Sequence, residues 1–130
     1  MADKLKVKSR SEKHFIDITS KVKKFISREG IDEGLLTLYV PHTTAAVTIN
    51  ESADPDVRND IKKKLKQLIP RDGSYRHREG NADSHIMSSL IGNSVQVFVQ
   101  EGTLKLGTWQ GIFFCEFDGP RTREIWLKKA

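Results

Sequence analysis

The chain has 130 residues, 37% apolar and 30% charged, with a formal net charge of +5. That is enough for one domain with a core and too short for two. No apolar run approaches the ~20 residues of a membrane span, residues 1–6 carry no signal-peptide pattern, and a lone Cys115 excludes an internal disulfide framework or a cysteine-built zinc site. The expectation is a single domain over residues 1–130 in the cytoplasm.

Leu5 and Val7 alternate with Lys4, Lys6 and Lys8, which predicts a first strand with one wet face. Residues 15–18 form a short second strand. Thr19 or Ser20 then caps a helix carrying Val22, Phe25 and Ile26 and ending near Gly30. Residues 35–40 read as a strand stopped by Pro41, and 45–49 as its successor. Asp54-Pro55 supplies an N-cap and a first-turn proline for a second helix, which Pro70 closes. Asn81 caps a third helix through Leu90, with Gly92 just past its end. Val95, Val97 and Val99 alternate as a strand. Residues 104–106 and 111–117 continue the sheet, and Gly119-Pro120 turns into a last strand over 124–128. Strands with three interspersed helices and no regular βαβ order predict an α+β fold, a mainly antiparallel sheet with helices packed on it.

Residues 1–30 hold nine Lys/Arg against four Asp/Glu, so the basic excess is an N-terminal feature. Nucleic-acid binding is not expected. It calls for a basic stripe interleaved with exposed aromatics or a groove-entering helix, and Lys62, Lys63, Lys64 and Lys66 are the solvated face of a helix whose other face is Val57, Ile61, Leu65 and Leu68.

On the strand over 111–117, Phe113, Cys115 and Phe117 share a core-like face. There Cys115 acts as a small hydrophobe rather than a nucleophile. Ile112 and Phe114 on the other face imply a cover, either a second layer or another subunit, with Glu116 and Asp118 at its rim. Thr44, Ala46, Thr48 and Asn50 leave room for a ligand or partner on one face of the strand over 45–49.

Among the histidines, His14 draws no functional case. His42, His77 and His85 are the right number for a catalytic zinc set, but their spacings match no metal signature, and capped or hydrogen-bonded histidines remain the alternative. Asp54 and Asp56 are explained as helix caps. Glu51 is less well explained, and suits a general base or a magnesium ligand. Gly107-Thr108-Trp109-Gln110-Gly111 points to an amphipathic ring held at an edge, or to a tryptophan packed in the core. Arg121 and Arg123, two apart, share a face if extended and suit phosphate or carboxylate groups.

Three blocks of the sequence belong together. The first runs from Pro41-His42-Thr43-Thr44 to Asn50-Glu51, followed by Asp54-Pro55-Asp56-Val57 and Asp60. The second is His77, Asn81-Ala82-Asp83-Ser84-His85-Ile86 and Leu90-Ile91-Gly92-Asn93-Ser94. The third spans 102–112 and continues through Glu116-Phe117-Asp118-Gly119-Pro120-Arg121-Thr122-Arg123. Taken together, these blocks resemble the YjbQ-like family, and the resemblance implies a small α+β domain assembling as a homotrimer with sites near subunit contacts. It also implies a weak, secondary thiamine-phosphate synthase activity, joining a pyrimidine diphosphate to a thiazole phosphate with release of pyrophosphate. By the motif match His42, His77 and His85 would gather with Glu51 or Glu116 as a metal or phosphate site. Some relatives carry an acidic pair before the histidine matching His85; here Asp83 is the one carboxylate in that stretch.

The implied catalytic set is His42, His77, His85 and Glu51, with the three histidines also as metal ligands. The ligand-binding set is Thr44, Asn50, Trp109, Gln110, Glu116, Arg121 and Arg123. Trp109 would stack on a pyrimidine, Gln110 would bond its edge, and the arginines would take up the charge of departing diphosphate. The expected ligand is a small phosphorylated molecule. The sequence leaves room for a divalent metal, Mg²⁺ or Zn²⁺, and calls for no organic cofactor. The rival readings are a metal-dependent hydrolase using the three histidines and a non-catalytic protein that holds an anion in the same pocket.

Overall fold

A computed structural model describes residues 2–130. Eight strands and three helices follow in the order β1 (Asp3–Lys8), β2 (His14–Asp17), α1 (Thr19–Glu29), β3 (Gly34–Tyr39), β4 (Ala45–Glu51), α2 (Pro55–Leu68), α3 (Ala82–Ile91), β5 (Ser94–Gln100), β6 (Thr103–Lys105), β7 (Gln110–Glu116) and β8 (Thr122–Lys129). The fold is α+β, and every strand pairing is antiparallel. The strands form two sheets rather than the single one expected: β1-β8-β3-β5-β6 and β2-β7-β4. Alternation along a strand reveals which residues share a face but not which strands pair, so the split was invisible in the sequence.

The two sheets face each other across the main core. Val7, Leu36, Leu38, Val97, Val99, Ile125 and Leu127 come from the larger sheet, and Ala45, Val47, Ile112 and Phe114 from the smaller. Helix α1 adds Val22, Phe25 and Ile26 to this core, at the three- and four-residue spacing that puts them on one stripe. The Ile112/Phe114 face is therefore covered by the chain's own second sheet, not by another subunit. The opposite face of the smaller sheet, with Phe113, Cys115, Phe117 and Ala46, packs under α2 and α3 through Leu65, Ile69 and Met87. That packing also fills the space the sequence reserved for a ligand beside Ala46.

Local chemistry sets the helix ends. The Asp54 side chain accepts from the Asp56 N–H at 2.9 Å, with Pro55 in the first turn. At α1 neither Thr19 nor Ser20 is the cap; Asp17 accepts from the Thr19 N–H and hydroxyl at 2.9 and 2.6 Å. Gly30 ends that helix at φ 64°, a left-handed conformation that favours glycine. The β1 lysines occupy the outer face of the larger sheet, where Lys4 Nζ stands 5.6 Å from the Trp126 ring centroid. Among the described residues, no helix is long and apolar enough to cross a membrane.

Candidate functional site

The pairing of β4 with β7 decides where the candidate residues stand. Ala45 lies opposite Glu116 at one end of the pair, and Glu51 opposite Gln110 at the other. Six residues of strand separate the two ends, about 20 Å at the usual rise. The expected single site is thus divided. Thr44, Glu116 and Arg123 stand at one end with His42 close by; Asn50, Glu51, Trp109 and Gln110 stand at the other.

At the first end Arg123 and Glu116 form a buried clamp. Arg123 Nε donates to both Glu116 carboxylate oxygens, at 2.9 and 3.2 Å, and its Nη2 reaches the Thr44 hydroxyl at 2.8 Å. Ser9 Oγ donates to Glu116 at 2.7 Å, and the Asp118 N–H at 3.1 Å. Glu116 is 0% and Arg123 6% exposed. Burial works to raise the Glu116 pKa, but the hydrogen bonds from Arg123, Ser9 and Asp118, with the Arg123 charge, hold it below its ordinary value. Neither group is open to a ligand, so their expected role in binding substrate is corrected: they fix Thr44 and the strand end. Arg121 is half exposed, and its guanidinium bonds the Asp118 backbone and side chain at 2.7 and 3.1 Å. The two arginines do not share an anion site, because one faces the core and the other the surface.

Beside the clamp lies a cleft of about 420 Å³ between the β3–β4 connection and α3, lined by His42 and Thr43 on one side and by His85, Ser89 and Asn93 on the other. Pro41 ends β3 and leaves His42 on the connection, and His85 projects from α3. His42 Nε2 accepts the Glu124 N–H at 3.0 Å. Its neutral ring then carries its hydrogen on Nδ1. Burial first, then the nearby Arg123 charge, lower the His42 pKa. Ser88 Oγ is spent on the Ala45 carbonyl at 2.6 Å, which ties α3 to β4 and fixes the cleft wall. His77 joins from the loop before α3, its ring centroid 5.2 Å from that of His85 in an edge-on arrangement.

Thus His42 and His85 share a cleft and His77 flanks it, but the three do not form a metal set. Among the described residues, no group of three His, Cys, Asp or Glu side chains is arranged to hold a metal ion. His42 Nε2 is already occupied, and Asp83 is fully buried and paired with Lys13 Nζ at 2.8 Å. The residues of one chain do not fit the metal centre that the resemblance implies.

At the far end Glu51 caps the following turn through the Ala53 N–H at 3.1 Å. Asn50 accepts from the Glu51 N–H at 2.7 Å, and Gln110 from the Gly107 N–H at 2.8 Å. Trp109 is 64% exposed, so it is not a packed core residue. Gly111 is required here, since a Cβ would meet that of Ser52 at 2.6 Å.

Sequence reasoning missed Lys13. It lies in the basic N-terminal segment yet is 6% exposed, and it also bonds the Phe117 carbonyl at 2.6 Å and Ser84 Oγ at 3.3 Å. Nothing in the local pattern distinguishes it from the solvated lysines around it. Asn81 stands at the N-cap of α3 as expected, but its side chain makes no capping bond; its amide donates to Asp118 at 2.9 Å.

The model of the UPF0047 protein YjbQ-like family matches residues 3–130. The chain belongs to the YjbQ-like family. The UPF0047 protein MJ1081 of Methanocaldococcus jannaschii is 48% identical over 98% of this chain and 93% of its own length. The UPF0047 protein YugU of Bacillus subtilis is 47% identical over 98% of each. Among solved structures, a YjbQ/UPF0047 family protein from Clostridium acetobutylicum superposes with a TM-score of 0.95 at 48% identity, covering 98% of this chain and 99% of that one. A hypothetical protein from Aeropyrum pernix gives 0.94 at 39% identity, covering 100% and 98%. YjbQ-like relatives from archaea and bacteria thus match nearly the whole chain, and the α+β fold is that of the family.

Proposed function

We propose that this YjbQ-like chain binds small phosphorylated ligands in the His42/His85 cleft, and that thiamine-phosphate formation is its secondary activity. The observation that carries this is the convergence of His42 and His85 from separate elements onto one open cleft edged by Thr43, Ser89 and Asn93. A neutral His42 with its Nε2 occupied presents an Nδ1–H donor. Phosphate oxygens accept from such a donor, from hydroxyls and from the Asn93 amide. In the proposed reaction the thiazole nitrogen forms a bond to the pyrimidine methylene carbon while the carbon–oxygen bond to diphosphate breaks, its electron pair leaving with pyrophosphate. Donors aimed at the departing oxygens stabilise that charge.

The Trp109 end enters this proposal through assembly. A head-to-tail ring repeats one heterologous contact. In the proposed homotrimer, the exposed Trp109 and Gln110 and the half-buried Glu51 of one protomer face the cleft of the next. No step is assigned to a metal, and the hydrolase reading has no three-donor set among the described residues.

The test is product formation by the purified protein from the pyrimidine diphosphate and thiazole phosphate with Mg²⁺ in the buffer. His85→Ala abolishes it while the circular dichroism spectrum is unchanged. Trp109→Ala abolishes it equally, and mixing the two inactive variants restores part of the activity. Undiminished turnover by His85→Ala removes the cleft from the reaction. Sedimentation of a stable monomer at micromolar concentration removes the shared site.

A further inference from the structure

A second cleft, of about 260 Å³, opens on the other edge of the smaller sheet, between β2 and the first turns of α2. His14, Phe15, Pro55, Arg58, Asn59 and Lys62 line it. Every polar side chain in that set presents hydrogen-bond donors, and none is acidic. Among the described residues, neither Arg58 nor Lys62 forms an ion pair. His14 Nδ1 accepts from the Arg10 N–H at 3.3 Å, so the neutral ring keeps its hydrogen on Nε2 as a donor.

Arg58 makes this more than a pair of surface cations. Its guanidinium carbon stands 5.0 Å from the centroid of the buried Phe113 ring, which holds the group in place from below. Its Nε is buried and has no hydrogen-bond partner among the described residues. A donor left unpaired inside a fold is costly, and an acceptor that reaches the guanidinium relieves that cost. Burial first, then the charges of Lys62 and Arg10, lower the His14 pKa, with Glu116 acting the other way.

We propose that the cleft between β2 and α2 is a second anion site, which takes a phosphate dianion, free or esterified to a small group. Arg58 and Lys62 supply charge-assisted hydrogen bonds, His14 and Asn59 supply neutral donors, and Phe15 with Pro55 forms an apolar floor. The volume suits one phosphate and a small substituent. The site does not depend on the His42/His85 cleft, which lies beyond the opposite edge strand β4.

The probes are inorganic phosphate and phenyl phosphate, titrated into the full chain and followed by NMR at the His14 ring and the Asn59 amides. Signals of His42 and His85 are read in parallel. Saturable shifts at His14 and Asn59 are expected, and Arg58→Gln or Lys62→Gln weakens them about tenfold or more while shifts at the other cleft persist. Tighter binding of phenyl phosphate assigns an esterified ligand that uses the Phe15/Pro55 floor; tighter binding of inorganic phosphate assigns the free ion. Shifts confined to His42 and His85, no shifts at all, or shifts unaltered in both variants overturn the proposal. Failure of the His42 cleft to bind phosphate leaves this result untouched, so the two proposals fail separately.

Discussion

Replacing Arg123 by Met removes the cation of the Glu116 clamp and leaves a carboxylate at 0% exposure without its partner. Breaking a buried pair from one side costs about 3–5 kcal/mol, because the surviving charge is uncompensated. With an unfolding entropy of about 2.1 cal/mol/K per residue, a chain of this length loses roughly 11–18 °C of melting temperature. The assay is a circular dichroism melt at pH 7 and fixed protein concentration, so that any association equilibrium stays constant. Arg121→Met is the control. Its pair with Asp118 is half exposed, and exposed pairs contribute about 0–1 kcal/mol. A double variant, Arg123→Met with Glu116→Leu, recovers most of the loss, since no charge then stays buried. An Arg123→Met melt no lower than that of Arg121→Met would refute the clamp. The pH profile carries the same sign. Glu116 has a folded pKa below its ordinary 4.5, so its contribution is full above that value and is lost as pH falls through the lower folded value.

Lys13→Met strands the buried Asp83 and loosens the start of α3; the expected cost is again about 3–5 kcal/mol, with hydrogen exchange of the α3 amides accelerated ahead of those of β3 and β8. His42 titrates below 6.5, so its contribution to stability is full above that pH and is lost as pH falls through the folded value. An NMR titration checks this, because the Glu124 amide that bonds Nε2 must shift with the same midpoint. Gly119→Ala drives a Cβ into the Ser11 carbonyl oxygen, an overpacking worth at least about 1–3 kcal/mol and read by urea unfolding.

Periodicity and turn chemistry made most elements legible before any coordinates. The Lys/Leu/Val alternation of β1, the Asp54-Pro55 start of α2 and the Gly30 stop of α1 all stand where local rules put them. Boundaries moved slightly: β6 runs over Thr103–Lys105, and β8 begins at Thr122. These features depend on neighbours within a few residues, where backbone sterics and hydrogen bonding act directly. The motif blocks likewise carried the family, which the comparisons bear out.

Tertiary structure alone decided which candidates meet. His42 and His85 lie 43 positions apart and share a cleft, whereas Glu51 and Glu116 sit on paired strands at opposite ends. Register controls that separation, and register is set by pairing across the sheet rather than by any local pattern. The same cause hid the roles of Lys13 and Arg123. Their charge is legible from composition, but their burial depends on which distant carboxylates, Asp83 and Glu116, the fold brings against them.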